Sequence, residues 1–286
     1  MKSVIPILTV VAALVVIWYA AAIGMNAQWA RDQAARAGTT LTASELIADT
    51  WSQERPKLPA PHQIVAELWK TTAMIKPTSK RSLVFHGWIT LSATMLGFVF
   101  GTGAGILLAI GIVHSRSMDL GVMPWAIASQ TIPIIAIAPM IIVVLNSVGI
   151  TGLVPKAIIS AYLSFFPVVV GMVKGLRSPD AMQLDLLRTY NASKPQALWK
   201  LRFPASLPYH FASLKVGVAA SLVGTIVGEL PTGAIRGLGA RMLTGSYYGQ
   251  TIQIWSALFA AAILAAGLVG IIGLVQRMTL RRMGVA

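Results

Sequence analysis

The chain has no cysteine and only nine acidic residues among 286, against 23 lysines and arginines. The first absence excludes disulfides and thiolate-bound metals. The second leaves little material for paired-carboxylate catalysis, and neither a His-Glu-x-x-His run nor a Gly-x-x-x-x-Gly-Lys-Ser/Thr phosphate loop occurs. The four histidines, His62, His86, His114 and His210, are widely dispersed, and none is read as a metal ligand or base. Charged residues make up only 11% of the chain, hydrophobic ones reach 56%, and mean hydropathy is +0.72. That composition is too apolar for an ordinary soluble domain and points to a protein that lives in lipid.

A membrane span needs about 20 predominantly apolar residues. Six runs qualify, near 5–25, 88–113, 120–148, 153–174, 207–229 and 252–276. The expected fold is therefore all-α, with both termini on one side. Lys2, Arg116, Lys174, Arg177, Arg188, Lys194, Lys200, Arg202, Arg277, Arg281 and Arg282 fall on that same side, which the positive-inside rule makes cytoplasmic. The formal charge of +14 thus sits where anionic lipid headgroups would meet it, and no aromatic-interleaved basic patch points to nucleic acid. The first 25 residues read as a retained anchor; a cleaved signal peptide is the alternative, and their apolar stretch is long for one.

Residues 26–86 are neither lipid-like nor disordered. Thr42 and Glu45 have capping-box spacing ahead of Leu46, Ile47 and Trp51. A second amphipathic stretch over 62–75 places Ile64, Val65, Leu68, Trp69, Thr72 and Ile75 on one face. Short helices on the outer membrane surface or against the core are expected here.

The remaining spans carry their own punctuation. Gly97, Gly101 and Gly105 recur at four-residue spacing and predict close approach of a neighbouring helix. Pro133 and Pro139 interrupt the third run, directly after Ser129, Gln130 and Thr131. Polar or broken backbone at membrane depth is tolerated only against protein or a water-filled cavity. Ser129, Gln130, Thr131 and Pro133, with Ser160, Tyr162 and Ser164 of the fourth run and Ser221, Thr225 and Glu229 of the fifth, are the candidate pathway-lining residues. Glu229 is the only acidic residue inside the last five runs, and pairing with Arg236 or Arg241 is the plain structural reading of it.

Between the fourth and fifth runs lies the basic segment Asp185–Pro204, DLLRTYNASKPQALWKLRFP. It resembles the loop of type I ABC importer permeases, whose pattern is Glu-Ala-Ala, three residues, Gly, nine residues, Ile, one residue, Leu-Pro. Asp185, Leu186 and Leu187 stand for Glu-Ala-Ala, Asn191 for Gly, Leu201 for Ile, and Phe203 and Pro204 for Leu-Pro. Every spacing fits. Asp185 is expected at a helix start, where the macrodipole favours its charge, and Asn191 must supply the turn, being one of the few residues besides Gly that tolerates positive φ. Gly97 to Gly105, Pro133 to Pro139, Phe165-Phe166-Pro167 and Gly237-Leu238-Gly239 are similar to features of the nitrate, sulfonate and taurine branch, which also includes pyrimidine-precursor permeases.

The resemblance implies a type I ABC importer permease with six transmembrane helices, five of them in its core, in the bacterial inner membrane. Its partners would be a cytoplasmic ATPase dimer that binds ATP and Mg, a second permease subunit forming a homodimer, an external solute-binding protein, and lipid. No catalysis and no cofactor are expected on this chain. The anticipated organisation is an anchor (1–25), an external segment (26–86), a core (87–276) containing a coupling loop (175–206), and a cytoplasmic tail (277–286). Coupling would fall to Asp185, Leu186, Leu187, Arg188, Tyr190, Asn191, Ala192, Trp199, Leu201, Phe203 and Pro204. Free cationic groups are scarce in the spans, which favours a neutral nitrogen heterocycle such as a pyrimidine over alkanesulfonate, taurine or nitrate. An ion-coupled secondary carrier is the competing class; only Glu229 fits the midplane charge such carriers use.

Overall fold

A computed structural model describes residues 4–230 and 236–284. The described residues are helical with turns and short connections, and contain no strand. The helices are α1 (Val4–Arg36), α2 (Ala43–Ser52), α3 (Pro61–Trp69), α4 (Leu83–His114), α5 (Arg116–Ser129), α6 (Ile134–Ser147), α7 (Leu153–Leu176), α8 (Ala181–Thr189), α9 (Lys194–Ala197), α10 (Phe203–Glu229), α11 (Leu238–Tyr247) and α12 (Thr251–Arg282). Five of them are long and apolar enough to cross a membrane.

The expected third span is a bent pair. α5 and α6 meet at 97° across residues 130–133, so they form a sixth span only if the two halves together count as one. Pro133 sits at this break as the residue before α6. Pro139 does not interrupt anything: it lies inside α6, as Pro124, Pro167 and Pro208 lie inside α5, α7 and α10. Proline removes one backbone donor, which a helix packed among neighbours can tolerate.

Two compact units can be distinguished, Met1–His86 with Ala240–Ala260, and Gly87–Gly239 with Ala261–Ala286. In the first unit α1 is continuous through Arg36, about 50 Å long at 1.5 Å per residue, so the expected boundary at residue 25 coincides with no break. Its buried Asn26 organises the chain that follows. The side-chain oxygen accepts from Lys57 N (2.8 Å) and Leu58 N (3.2 Å), and the amide donates to Thr50 O (3.2 Å) and Leu58 O (2.8 Å). Trp18 donates to Pro59 O and its ring lies 4.9 Å from that of Trp255.

The capping box of α2 is formed: Glu45 N donates to the Thr42 hydroxyl, and Thr42 N to the Glu45 carboxylate at 2.9 Å. α3 and the single π turn after it (Lys70–Met74) exist as expected, but with another face inward. Ile64 and Thr71 are buried, whereas Val65 and Trp69 are each 64% exposed and Thr72 is exposed. The inward face runs through Ile64, the half-buried Leu68 and Thr71, and Val65 and Trp69, one position further on, point outward.

The second unit is built on α7 and α10, which pack along their whole lengths in antiparallel fashion. Gly175 faces Ser206, Gly171 faces Ser213, and Gly224 faces Ser160. α4 runs parallel to α7, and its glycine stripe is used within the chain. A Cβ on Gly97 would strike Ser160, one on Gly101 would strike Ser164 and lie 2.8 Å from Ala161 O, and one on Gly105 would lie 2.9 Å from Phe165 O. Below this contact Ile112, Val168, Met172, Leu176 and Leu198 form the apolar core.

Candidate functional site

Two polar regions lie at opposite ends of the α7–α10 pair. One is the segment between the two helices. The other is the buried contact of α4, α7 and α10.

The connecting segment starts earlier than expected. α8 begins at Ala181, and the side-chain carbonyl of Gln183 accepts from Asp180 N at 3.3 Å. Asp185 is therefore inside the helix rather than at its start, and its carboxylate pairs with Arg188 on the next turn at 2.8 Å. A cap at Asp180 with Gln183 three residues on was readable from the sequence and competes better for the helix start than Asp185 does.

α8 ends as the sequence requires. Asn191 has φ +52, the only positive φ at a non-glycine among the described residues. The turn is closed by Asn191 N donating to Arg188 O at 2.9 Å and by Ala192 N donating to Leu187 O at 3.0 Å. Ser193 then opens α9, its N–H donating to the Gln196 side chain at 2.8 Å. A π turn, Leu198–Arg202, leads without interruption into α10.

This geometry sorts the coupling candidates. On α8 Leu186 (57% exposed) and Tyr190 (78%) form an outward row with Met182 (79%), one helical turn apart each. Leu187 and Ala192 are half-buried and line a groove with Leu184, Arg188, Lys194, Ala197, Arg202, Val113 and His114. Trp199 is exposed and stands 5.2 Å from the ring of Phe203, while Leu201, Phe203 and Pro204 are half-buried at the root of α10. Arg202 fixes that root by donating to Leu176 O at 2.8 Å. Arg177 pairs with Asp119 of α5 at 2.8 Å, a link that spacing could not show.

The pathway candidates fall into two groups. Ser129, Gln130, Thr131 and Pro133 lie at the α5–α6 bend. Ser129 and Thr131 donate to Ala126 O and Ala128 O of their own helix, and Tyr162 donates to Ser129 O. Gln130 is half-buried, and Thr131 and Pro133 are exposed.

Ser160, Ser164, Ser221, Thr225 and Glu229 are instead enclosed between helices, each with no exposed area. Ser160 donates to Ser221 O at 2.9 Å, Ser221 to Thr94 O at 2.9 Å, and the Thr225 hydroxyl lies 3.0 Å from that of Thr94. Ser164 bonds to Ala161 O. At the end of this ladder Lys156 Nζ is 3.5 Å from Glu229 Oε1, and Thr90 donates to the same carboxylate at 3.0 Å. Gly239 N donates to it at 2.9 Å. Lys156, Thr90 and Thr94 were not among the sequence candidates. Thr90 and Thr94 share one helical face, a signal available in the sequence; the pairing of Lys156 with Glu229 spans 73 residues and is not.

Comparison with known proteins supplies the context. Residues 101–285 match the family described as binding-protein-dependent transport system inner membrane component. A formylaminopyrimidine transport permease protein of Halalkalibacterium halodurans is 32% identical over 191 residues, 65% of this chain and 71% of the relative. A riboflavin transport system permease protein of Chloroflexus aurantiacus is 29% identical over 224 residues, 78% and 80% of the two chains. A nitrate import permease protein of Synechocystis sp. is 25% identical over 229 residues, 78% of each.

Proposed function

Because the chain belongs to the family of binding-protein-dependent transport system inner membrane components, we propose that α8 and the turn at Asn191 couple this non-catalytic ABC importer permease to a separate ATPase dimer that binds ATP and Mg. The observation that carries the reading is the row Met182, Leu186 and Tyr190. Three large apolar side chains stand more than half exposed on one face of a short, capped helix. A rigid amphipathic helix of this kind suits a groove on a partner, with Tyr190 as anchor and Arg188, Lys194 and Lys200 steering the approach.

In this reading α8 lies in the cytoplasm with both termini, and the Glu229 end of α10 faces outward toward a solute-binding protein. A second copy of the chain completes the pathway. Nearly all of the apolar length of α1 and of α12 is uncovered, whereas about half of that of α7 and of α10 is buried, which leaves apolar faces for lipid or for that copy. ATP-driven closure of the ATPase pair moves α8, and Arg202 and the α7–α10 packing pass the displacement into the spans.

The substrate assigned is a small neutral nitrogen heterocycle. Lys156 is already paired with Glu229 and offers an anion no free charge, and relatives carry riboflavin and formylaminopyrimidine in their names. The nitrate relative keeps small anions, alkanesulfonates included, as the second reading. The test is purification of the complex from its native membrane and uptake into liposomes of an aminopyrimidine, riboflavin, taurine and nitrate. Uptake of taurine or nitrate alone would replace the heterocycle assignment. Undiminished ATPase association and transport after Asp185→Lys would defeat the coupling assignment.

A further inference from the structure

Glu229 and Lys156 need an explanation that solute contact does not give. Both are buried: Glu229 has no exposed area and Lys156 only 9%. A buried ion pair is weak support for stability by itself, since desolvation offsets most of its attraction, and in lipid that cost is no smaller. What distinguishes this pair is where its remaining hydrogen bonds go.

Among the described residues, those bonds reach Thr90 and one short turn, residues 236–239. Lys156 Nζ donates to Arg236 O at 2.9 Å. Thr90 accepts from Leu238 N at 2.9 Å while donating to Glu229. Glu229 accepts from Gly239 N at 2.9 Å. Three helices, α4, α7 and α10, thus each contribute one side chain to hold three backbone groups of the same turn. The turn is shaped to receive them. Gly237 has φ +126, and a Cβ there would overlap the Glu229 carboxylate; a Cβ on Gly239 would lie 2.5 Å from Ile226 O. Gly237 is required by the close approach of this carboxylate, and Gly239 by that of the Ile226 carbonyl.

We infer that Glu229 and Lys156 are positioning residues that clip the 236–239 turn to the ends of α4, α7 and α10, so that the turn moves with these helices as one body during transport. The inference rests on the importer reading and deepens it. α8 receives the motion at one end of the α7–α10 pair; the clip delivers it at the other, some 40 Å away along the 27 residues of α10. One carboxylate and one ammonium thereby hold three partners besides each other, Thr90, Gly239 N and Arg236 O, through charge-assisted hydrogen bonds.

The test uses the complex with its ATPase in nanodiscs, comparing basal ATPase activity with that stimulated by the solute-loaded binding protein. The double variant Lys156→Met with Glu229→Gln removes both charges without leaving either one buried alone. It should assemble with the ATPase and keep basal activity within about twofold, while stimulation falls about tenfold or more. Thr90→Val, which removes one strand of the clip and no charge, guards against misfolding of the double variant and should lower stimulation about threefold or more. Equal stimulation of the native chain and both variants would overturn the clip, leaving a neutralised buried pair. A native chain that brings down no ATPase would overturn the importer reading and this inference with it.

Discussion

Replacing Asn191 with valine tests whether the turn after α8 sets the docking geometry. Asn191 holds φ +52, and a β-branched residue there costs about 1–2 kcal/mol, because its Cβ crowds the adjoining carbonyl oxygen. The turn is closed by two hydrogen bonds, Asn191 N to Arg188 O and Ala192 N to Leu187 O. At about 0.5–1.5 kcal/mol each, they contribute roughly 1–3 kcal/mol. Strain and closure are thus of similar size, and the fraction of loops in docking geometry falls to between about a tenth and a half. Apparent affinity for the ATPase drops by the reciprocal, about two- to tenfold. Asn191→Gly enters the same backbone region freely and should stay within about twofold of the native chain. Titration of purified ATPase onto nanodisc-held variants measures this, with circular dichroism to establish equal helicity. Equal affinities for the valine and native chains would refute the reasoning, and so would a glycine variant as weak as the valine one.

Gly101→Val should lower the thermal stability of the detergent-purified chain by an amount corresponding to about 1–3 kcal/mol or more, since its Cβ meets Ser164 and the Ala161 carbonyl; Gly103→Val, with nothing within 4 Å, should change it little. Asn26→Ala leaves four backbone groups of residues 50–58 without their partner. At about 1–3 kcal/mol for each group that water cannot reach, the 37–60 stretch should become markedly more sensitive to limited proteolysis. The Glu45 carboxyl is held below its ordinary value of 4.5 by hydrogen bonds from Thr42. A depressed acid stabilises the folded form above its unfolded pKa and stops doing so as pH falls through the folded one. Amide exchange in α2 should therefore accelerate below pH 4.5 in the native chain and show no such step in Glu45→Gln.

Local rules carried the sequence reading wherever neighbours along the chain decide the outcome. The Thr42–Glu45 cap, the left-handed Asn191 and the chain break at Pro133 are of this kind. Where two local signals competed, spacing chose less well. Asp185 resembled a helix start because of a motif, yet Asp180 with Gln183 is the cap that backbone hydrogen bonding selects. Pro139 resembled a second break, but a helix interior among packed neighbours absorbs one missing donor. The inward face of α3 runs through Ile64, Leu68 and Thr71, one edge of the apolar stripe, and apolar character alone does not say which edge packs. Contacts between distant helices were not legible at all. Ser160 and Ser221 are recognisable as polar residues in apolar runs, but only the antiparallel register of α7 and α10 brings their hydroxyls together.

That register also constrains how the chain can diverge. Gly97 stands against Ser160, Gly101 against Ser164, Gly171 against Ser213 and Gly175 against Ser206. In each pair one residue has no side chain and the other has a side chain of two heavy atoms, so the space between the backbones is already filled. A methyl group added at Gly171 can be accommodated only if Ser213 shrinks, whereas at Gly97 and Gly101 it would also lie 2.5 and 2.8 Å from the Ala157 and Ala161 carbonyl oxygens, which no exchange of the opposite serine relieves. Drift at Gly171 and Ser213 should therefore proceed by paired exchange, while Gly97 and Gly101 should stay glycine.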